Sequence, residues 1–217
     1  MKKLITTFAL AFLVCATAFT LAVSVSSQSQ AATDFNSIQP EPAESIYPSR
    51  VNNYCLFPDA VVSVSSTVNT NFPASSAIDG DRIGQNCSFT QGAPCWGNAG
   101  GWNDGTRDVF PDWLRVDFGR ARSIGRVVVV TFQDNFSTPR VEPYLGLQVG
   151  NNYTIEDFKI EVLNTSGMWV EVAEAEENLD IIREFTFTPV LGTAVRITID
   201  DSYAHYSRVI EFEAYAN

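Results

Sequence analysis

Asp79, Gly80 and Asp81 place two carboxylates at alternate positions of a tight turn, and Gly80 relaxes the backbone between them so that carbonyls can also face inward. Hard oxygen donors so arranged suit calcium, although an isolated Asp-Gly is also an ordinary turn signal and the spacing is not that of an EF-hand. A second set of residues is fitted to recognition. Trp102 lies among Gly100, Gly101, Asn103 and Asp104. An indole beside an amide and a carboxylate can stack on the C–H face of a sugar while the polar groups meet its hydroxyls. The same ring can instead fold back and plug the end of the domain, as large aromatics are mostly buried; the residue types leave both open. Asp134 and Asn135, Tyr144, and the Tyr203, His205 and Tyr206 group are further candidates, since polar and aromatic loops at one end of a scaffold are where ligands bind.

Catalytic chemistry is poorly supplied. The chain has one histidine, too few for an ordinary zinc site with its unclustered cysteines. It has no Gly-x-Ser-x-Gly elbow and no phosphate-cradling glycine loop. Asp104, Asp108 and Asp112 are close in sequence, as a glycosidase pair would require in space, but acidic loops are usually solvated. A non-enzyme is expected.

The elements that must carry these residues begin after a leader. Met1, Lys2 and Lys3 precede an uncharged, mostly apolar run from Leu4 to Val25, closed by small and polar residues through Ala31. This predicts a signal peptide over residues 1–31 and a secreted, extracellular or periplasmic protein, with an uncleaved anchor as the alternative because the apolar run is long. Val14 before Cys15 is too bulky for a lipid-attachment site. Residues 32–50, with Pro40, Pro42 and Pro48, are expected to be a flexible linker, and 51–217 a single domain. Cleavage would remove Lys2 and Lys3 from the 14 basic residues and none of the 25 acids, leaving a net charge of −13. Such a surface repels nucleic acid and anionic lipid, so neither nucleic-acid binding nor membrane insertion of the mature chain is expected.

Within the domain the apolar pattern has period two. Leu114, Val116 and Phe118 alternate with Arg115 and Asp117; Phe158, Ile160 and Val162 with Lys159 and Glu161; Val195, Ile197 and Ile199 with Arg196 and Thr198. These predict half-buried antiparallel strands. Val127 to Val130 is continuous and β-branched, as for a strand covered on both faces, and Asn164 to Gly167 reads as a turn. No stretch sustains helical periodicity, so the expected class is all-β, an antiparallel sandwich.

Five pieces taken in order carry a resemblance: Ala77-Ile78-Asp79-Gly80-Asp81, Trp96, Trp113-Leu114-Arg115-Val116-Asp117-Phe118-Gly119, Trp169-Val170-Glu171-Val172 and Ser207-Arg208-Val209-Ile210-Glu211-Phe212. Together they resemble the discoidin, or coagulation-factor type C, family, and the order is similar to that of family 32 carbohydrate-binding modules. Gly100 to Asp104 followed by Phe110 to Leu114 looks like a bacterial branch of it. The resemblance implies a galactose-binding-domain-like jelly-roll and a glycan or polysaccharide partner. Some relatives instead recognise a cell-surface or matrix protein in adhesion. It also implies a structural calcium ion held by the side chains of Asp79, Asp81 and Glu211 and the carbonyls of Ser76, Gly84 and Ile210, with Trp96, Trp113 and Trp169 in the core.

After leader cleavage Cys55, Cys87 and Cys95 remain, and in an oxidising compartment two should pair. By comparison with the same branch, the segment from Cys87 to Cys95 is an insertion before Trp96. This implies a Cys87–Cys95 disulfide and a buried free Cys55, with pairing of Cys55 to either of the others still open.

Overall fold

The computed structural model describes residues 45–84, 100–133, 141–148 and 153–216. Its long strands follow the period-two pattern because a pleated chain sends successive side chains to opposite faces. Seven strands occur among the described residues: β1 (Val61–Val64), β2 (Trp102–Asn103), β3 (Asp112–Thr131), β4 (Ile155–Asn164), β5 (Trp169–Ala175), β6 (Ile182–Ser202) and β7 (Arg208–Tyr215). Every pairing is antiparallel. The helical content is two short 3-10 turns, Tyr54–Leu56 and Ala74–Ala77. No helix among the described residues is long and apolar enough to cross a membrane.

The two layers of the sandwich are parts of one hydrogen-bonded ribbon, because β3 and β6 each run through both. Residues 112–117 of β3 lie between β1 and β6, and β6 continues to β4 and β5. After the bend, residues 126–131 of β3 lie between the first part of β6 and β7, with β2 beyond it. Gly119 (φ 67°) and two breaks in register, at Asp117/Arg122 and Ile124/Arg126, turn the corner in β3. The matching corner in β6 needs Gly192, where a Cβ would lie 2.3 Å from Val162 Cγ1 and 2.8 Å from Leu163 O.

Leu114, Val116, Phe118, Phe158, Ile160, Val162, Val195, Ile197 and Ile199 from one layer meet Val127, Val129, Phe212 and Ala214 from the other in a single core. The outer face of the second layer is covered as well: Val128, Val130, Ile182, Ile210 and Tyr215 form a second buried cluster. The continuous valine run therefore has the two-sided burial its sequence predicts. The Asn164–Gly167 turn also forms, the Asn164 side chain accepting from the amides of Ser166 and Met168.

Two expectations are corrected. The domain begins before residue 51, because Ser45–Arg50 is bound to it: Arg82 donates to Pro48 O at 2.7 Å, Arg126 to Ser49 O at 3.0 Å, and Leu145 N to Ile46 O at 2.8 Å. Those arginines belong to a buried polar cluster beneath the segment. There Arg82 forks onto Glu213 at 2.6 and 2.7 Å, the Tyr215 hydroxyl donates to Glu213, and Arg126 lies over the Tyr215 ring. Second, Trp113 and Trp169 are half-buried on the outer face of the first layer, not in the core. Each has the outward parity of its strand, and Trp169 is roofed by Arg196 at 4.2 Å. Trp96 lies outside the described residues.

Candidate functional site

Since β3 descends one layer and returns up the other, Asp112 and Thr131 lie at the same end of the sandwich. Ser65, just after β1, donates to Asp112 (2.8 Å), and Thr131 donates to the carbonyl of Arg208 at the start of β7 (3.1 Å). The 104–111 and 203–207 segments join there, through Asp104 N to Ser207 O and Asp108 N to His205 O.

At this end the structure decides the role of Trp102. The indole is fully buried in the core, and its Nε1–H donates to Ser66 O at 2.9 Å. It plugs the end of the sandwich, and the expectation of a sugar platform at Trp102 is corrected: an indole with no exposed surface stacks on nothing outside. Asn103 and Asp104 go with it, at 5% and 0% exposure, because β2 pairs with the start of β7 and turns them inward. Asn103 donates to Asp104 O, while Asp104 accepts from Thr106 and Ser207. Tyr144 packs edge-on against Tyr47 of the N-terminal segment. Asp134 and Asn135 lie outside the described residues.

Tyr203, His205 and Tyr206 are brought together on one turn, with Tyr203 and His205 exposed and Tyr206 half-buried. His205 Nδ1 lies 2.6 Å from Asp108 Oδ1, and both residues sit at left-handed φ, 67° and 56°. That bond to His205 holds the Asp108 carboxyl below its ordinary range.

Beneath the turn lies a residue the sequence did not single out. Arg208 is 6% exposed, and its guanidinium stands 5.1 Å from the Tyr153 ring and 5.4 Å from the Tyr206 ring. Nη1 donates to Ala204 O (3.4 Å) and Tyr206 O (3.2 Å); Nε is buried with no hydrogen-bond partner among the described residues. Burial pulls its pKa down to about 10 against the attraction of Asp104. The signal available in sequence was position: a charge heading a strand otherwise rich in apolar residues. A groove of about 550 Å³ lined by Ser45, Tyr47, Ser49, Arg126 and Glu184 shares no residue with this end.

At the acidic loop, Glu211 of β7 accepts from the amides of Asp79 (3.2 Å) and Gly80 (3.1 Å to each oxygen). Asp79 accepts from Asp81 N and Asp81 from Ile83 N, so each carboxylate caps backbone amides. Ser76, Gly84 and Ile210 are buried alongside in sequence. No group of three or more His, Cys, Asp or Glu among the described residues is drawn together as a metal cluster. The donor chemistry nevertheless fits a hard cation. Glu211 is fully buried, and burial together with the charges of Glu213 and Asp79 pushes its pKa well up.

Cys55 is a buried free thiol, raised in pKa by burial and by Glu211 and Glu213. Cys87 and Cys95 lie outside the described residues.

A two-layer antiparallel jelly-roll with strand ends and loops gathered at one end defines the galactose-binding-domain-like class. The chain belongs to the factor 5/8 type C family: the model described as NedA-like, galactose-binding domain matches residues 76–197, more than half of it. No curated protein matches. Among solved structures the fold is similar to chitosan-binding module 1 of a chitosanase/glucanase from Paenibacillus sp. IK-5 (23% identity, TM-score 0.53, covering 75% of this chain and 98% of that one). It is also similar to a fucose-binding module of Streptococcus pneumoniae (14%, 0.54, 77% and 99%). The family 32 carbohydrate-binding module of Streptococcus pneumoniae EndoD is a third (13%, 0.54, 76% and 99%).

Proposed function

We propose that this chain is a secreted or periplasmic, non-catalytic module that binds a glycan at its loop end and is stabilised by a calcium ion. The observation that carries the reading is Arg208. Its guanidinium, flanked by the rings of Tyr153 and Tyr206, sets a positive charge directly beneath an exposed aromatic turn. That charge favours the hydroxyl oxygens of a sugar held at the turn, while the rings of Tyr206 and Tyr203 offer apolar faces to the sugar's C–H groups. The family, and fold relatives that are chitosan-binding and fucose-binding modules, support the same reading. The chain's net charge of −11 disfavours nucleic acid and anionic lipid as competitors.

Asp79, Asp81 and Glu211, with the carbonyls of Ser76, Gly84 and Ile210, would hold the calcium. When bound, the ion offsets the mutual repulsion of Glu211, Glu213 and Asp79 and ties the 76–84 loop to β7; its role is structural.

The reading is tested on a glycan array and by affinity electrophoresis against soluble polysaccharides. Arg208→Gln should weaken binding of the wild-type ligand by roughly tenfold to a hundredfold, the worth of one hydrogen bond to a charged group. Unchanged affinity in a folded variant would move the site elsewhere, and no binding to any glycan by the wild type would end the reading.

A further inference from the structure

Asp104 and Asp112 are 0% and 2% exposed, and one residue bridges them. Ser207 donates its amide to Asp104 Oδ1 at 2.7 Å and its hydroxyl to Asp112 Oδ2 at 2.8 Å. The other oxygens are held from two more directions. Ser65 Oγ donates to Asp112 Oδ1 at 2.8 Å, while Thr106 N and Oγ1 donate to Asp104 Oδ2 at 2.7 and 3.2 Å. The two carboxyl groups are joined through Ser207, and Asp104 adds to the upward push on Asp112. They therefore fasten three segments, the exit of β1, the 104–112 connection and the 203–207 turn, at one buried point.

Buried like charges bridged by a single residue cannot both ionise cheaply. The cation acting on Asp104 among the described residues is Arg208 of β7. With one proton between them the pair carries a single negative charge, which Arg208 balances; with none, an extra negative charge is left in a low-dielectric site. The remaining ionisable groups on these segments are Arg107, Asp108 and His205, exposed at the tip, and the tyrosines of the 203–206 turn.

We propose that Asp104 and Asp112 share one proton and act as a pH-sensitive latch across the loop end, closed while the proton is held and loosened when it leaves. The control of ligand affinity that follows rests on the glycan reading above; the latch itself does not. Both carboxyls titrate above their ordinary range, burial being the first cause in each and the neighbouring Asp104 adding to Asp112. A carboxyl raised on folding gives stability that is full below the unfolded pKa of about 3.9 and is lost as pH rises through the folded value.

Asp112→Asn is the decisive variant. It keeps the shape, and the hydroxyls of Ser65 and Ser207 can reverse to suit an amide, whereas Asp104 must accept from two amides. As pH rises from about 4 through the pair's titration, the wild-type folding equilibrium constant should fall by up to about tenfold per pH unit relative to the variant. The protection of the Ser207 amide relative to its intrinsic, base-catalysed exchange rate should fall over the same range in wild type only. Parallel stability profiles, or a Ser207 protection factor indifferent to pH, would overturn the latch. Should the variant not fold, carboxyl-carbon NMR of the wild type decides: one aspartate titrating well above the others supports the shared proton, and all at or below the ordinary value refutes it. In a glycan titration, wild-type affinity should fall with rising pH and Asp112→Asn affinity should not. Absence of all glycan binding would end the functional reading and leave the amide and stability profiles to judge the latch.

Discussion

Trp102 illustrates how little a residue's sequence neighbours say about its surroundings. Glycine and polar groups flank it in the chain, yet its burial comes from partners far away: Ser66, which takes the indole proton, and Val209, opposite it on β7. Trp102→Ala should accordingly cost about 3–5 kcal/mol of stability in chemical denaturation, the range for truncating a buried large aromatic. A cost below about 1 kcal/mol with selective loss of ligand binding would restore the platform role. Arg208 is the reverse case. Its identity was visible as part of the Ser207–Phe212 motif, but an orphaned buried donor is a property of three-dimensional packing that no spacing reveals.

At the scale of elements, the period-two strands were legible because one side of each faces a common core, and the pattern of Leu114, Val116 and Phe118 has no other economical explanation. The valine run of β3 was legible for the complementary reason. What escaped was whatever depends on a strand's neighbours. The Ser45–Arg50 segment belongs to the domain through buried arginines that lie elsewhere in the chain, whereas the outward position of Trp113 was already implied by its strand's parity, against the core role the resemblance implies. Those arginines make the outer face of β7 a polar interior. Glu213→Ala would leave Arg82, 1% exposed, with its charge uncompensated; the expected loss is about 3–5 kcal/mol, measured by denaturant unfolding. Replacing Arg82 and Glu213 together with apolar residues of similar volume should recover much of it.

For the molecule as a whole, the excess of acidic over basic residues and the buried Glu211 pull the same way: both are relieved by a cation. Calcium at about a hundredfold over its dissociation constant should raise the melting temperature by roughly 5–10 °C, and chelator should reverse it. An unchanged midpoint would remove calcium from the proposal.

The passage of β3 and β6 through both layers has a further consequence, for how the chain reaches this state. Neither layer can form by itself, since each borrows half of the same two strands, and their pairing joins Asp112 to Ile199 and Val130 to Ile182. Loops of that length must close before any of the shared core is won, so the transition state carries a large entropic cost and folding belongs to the slow range of milliseconds to seconds. The same sharing makes unfolding all-or-none: a break in either corner, at Gly119 or Gly192, releases both layers together.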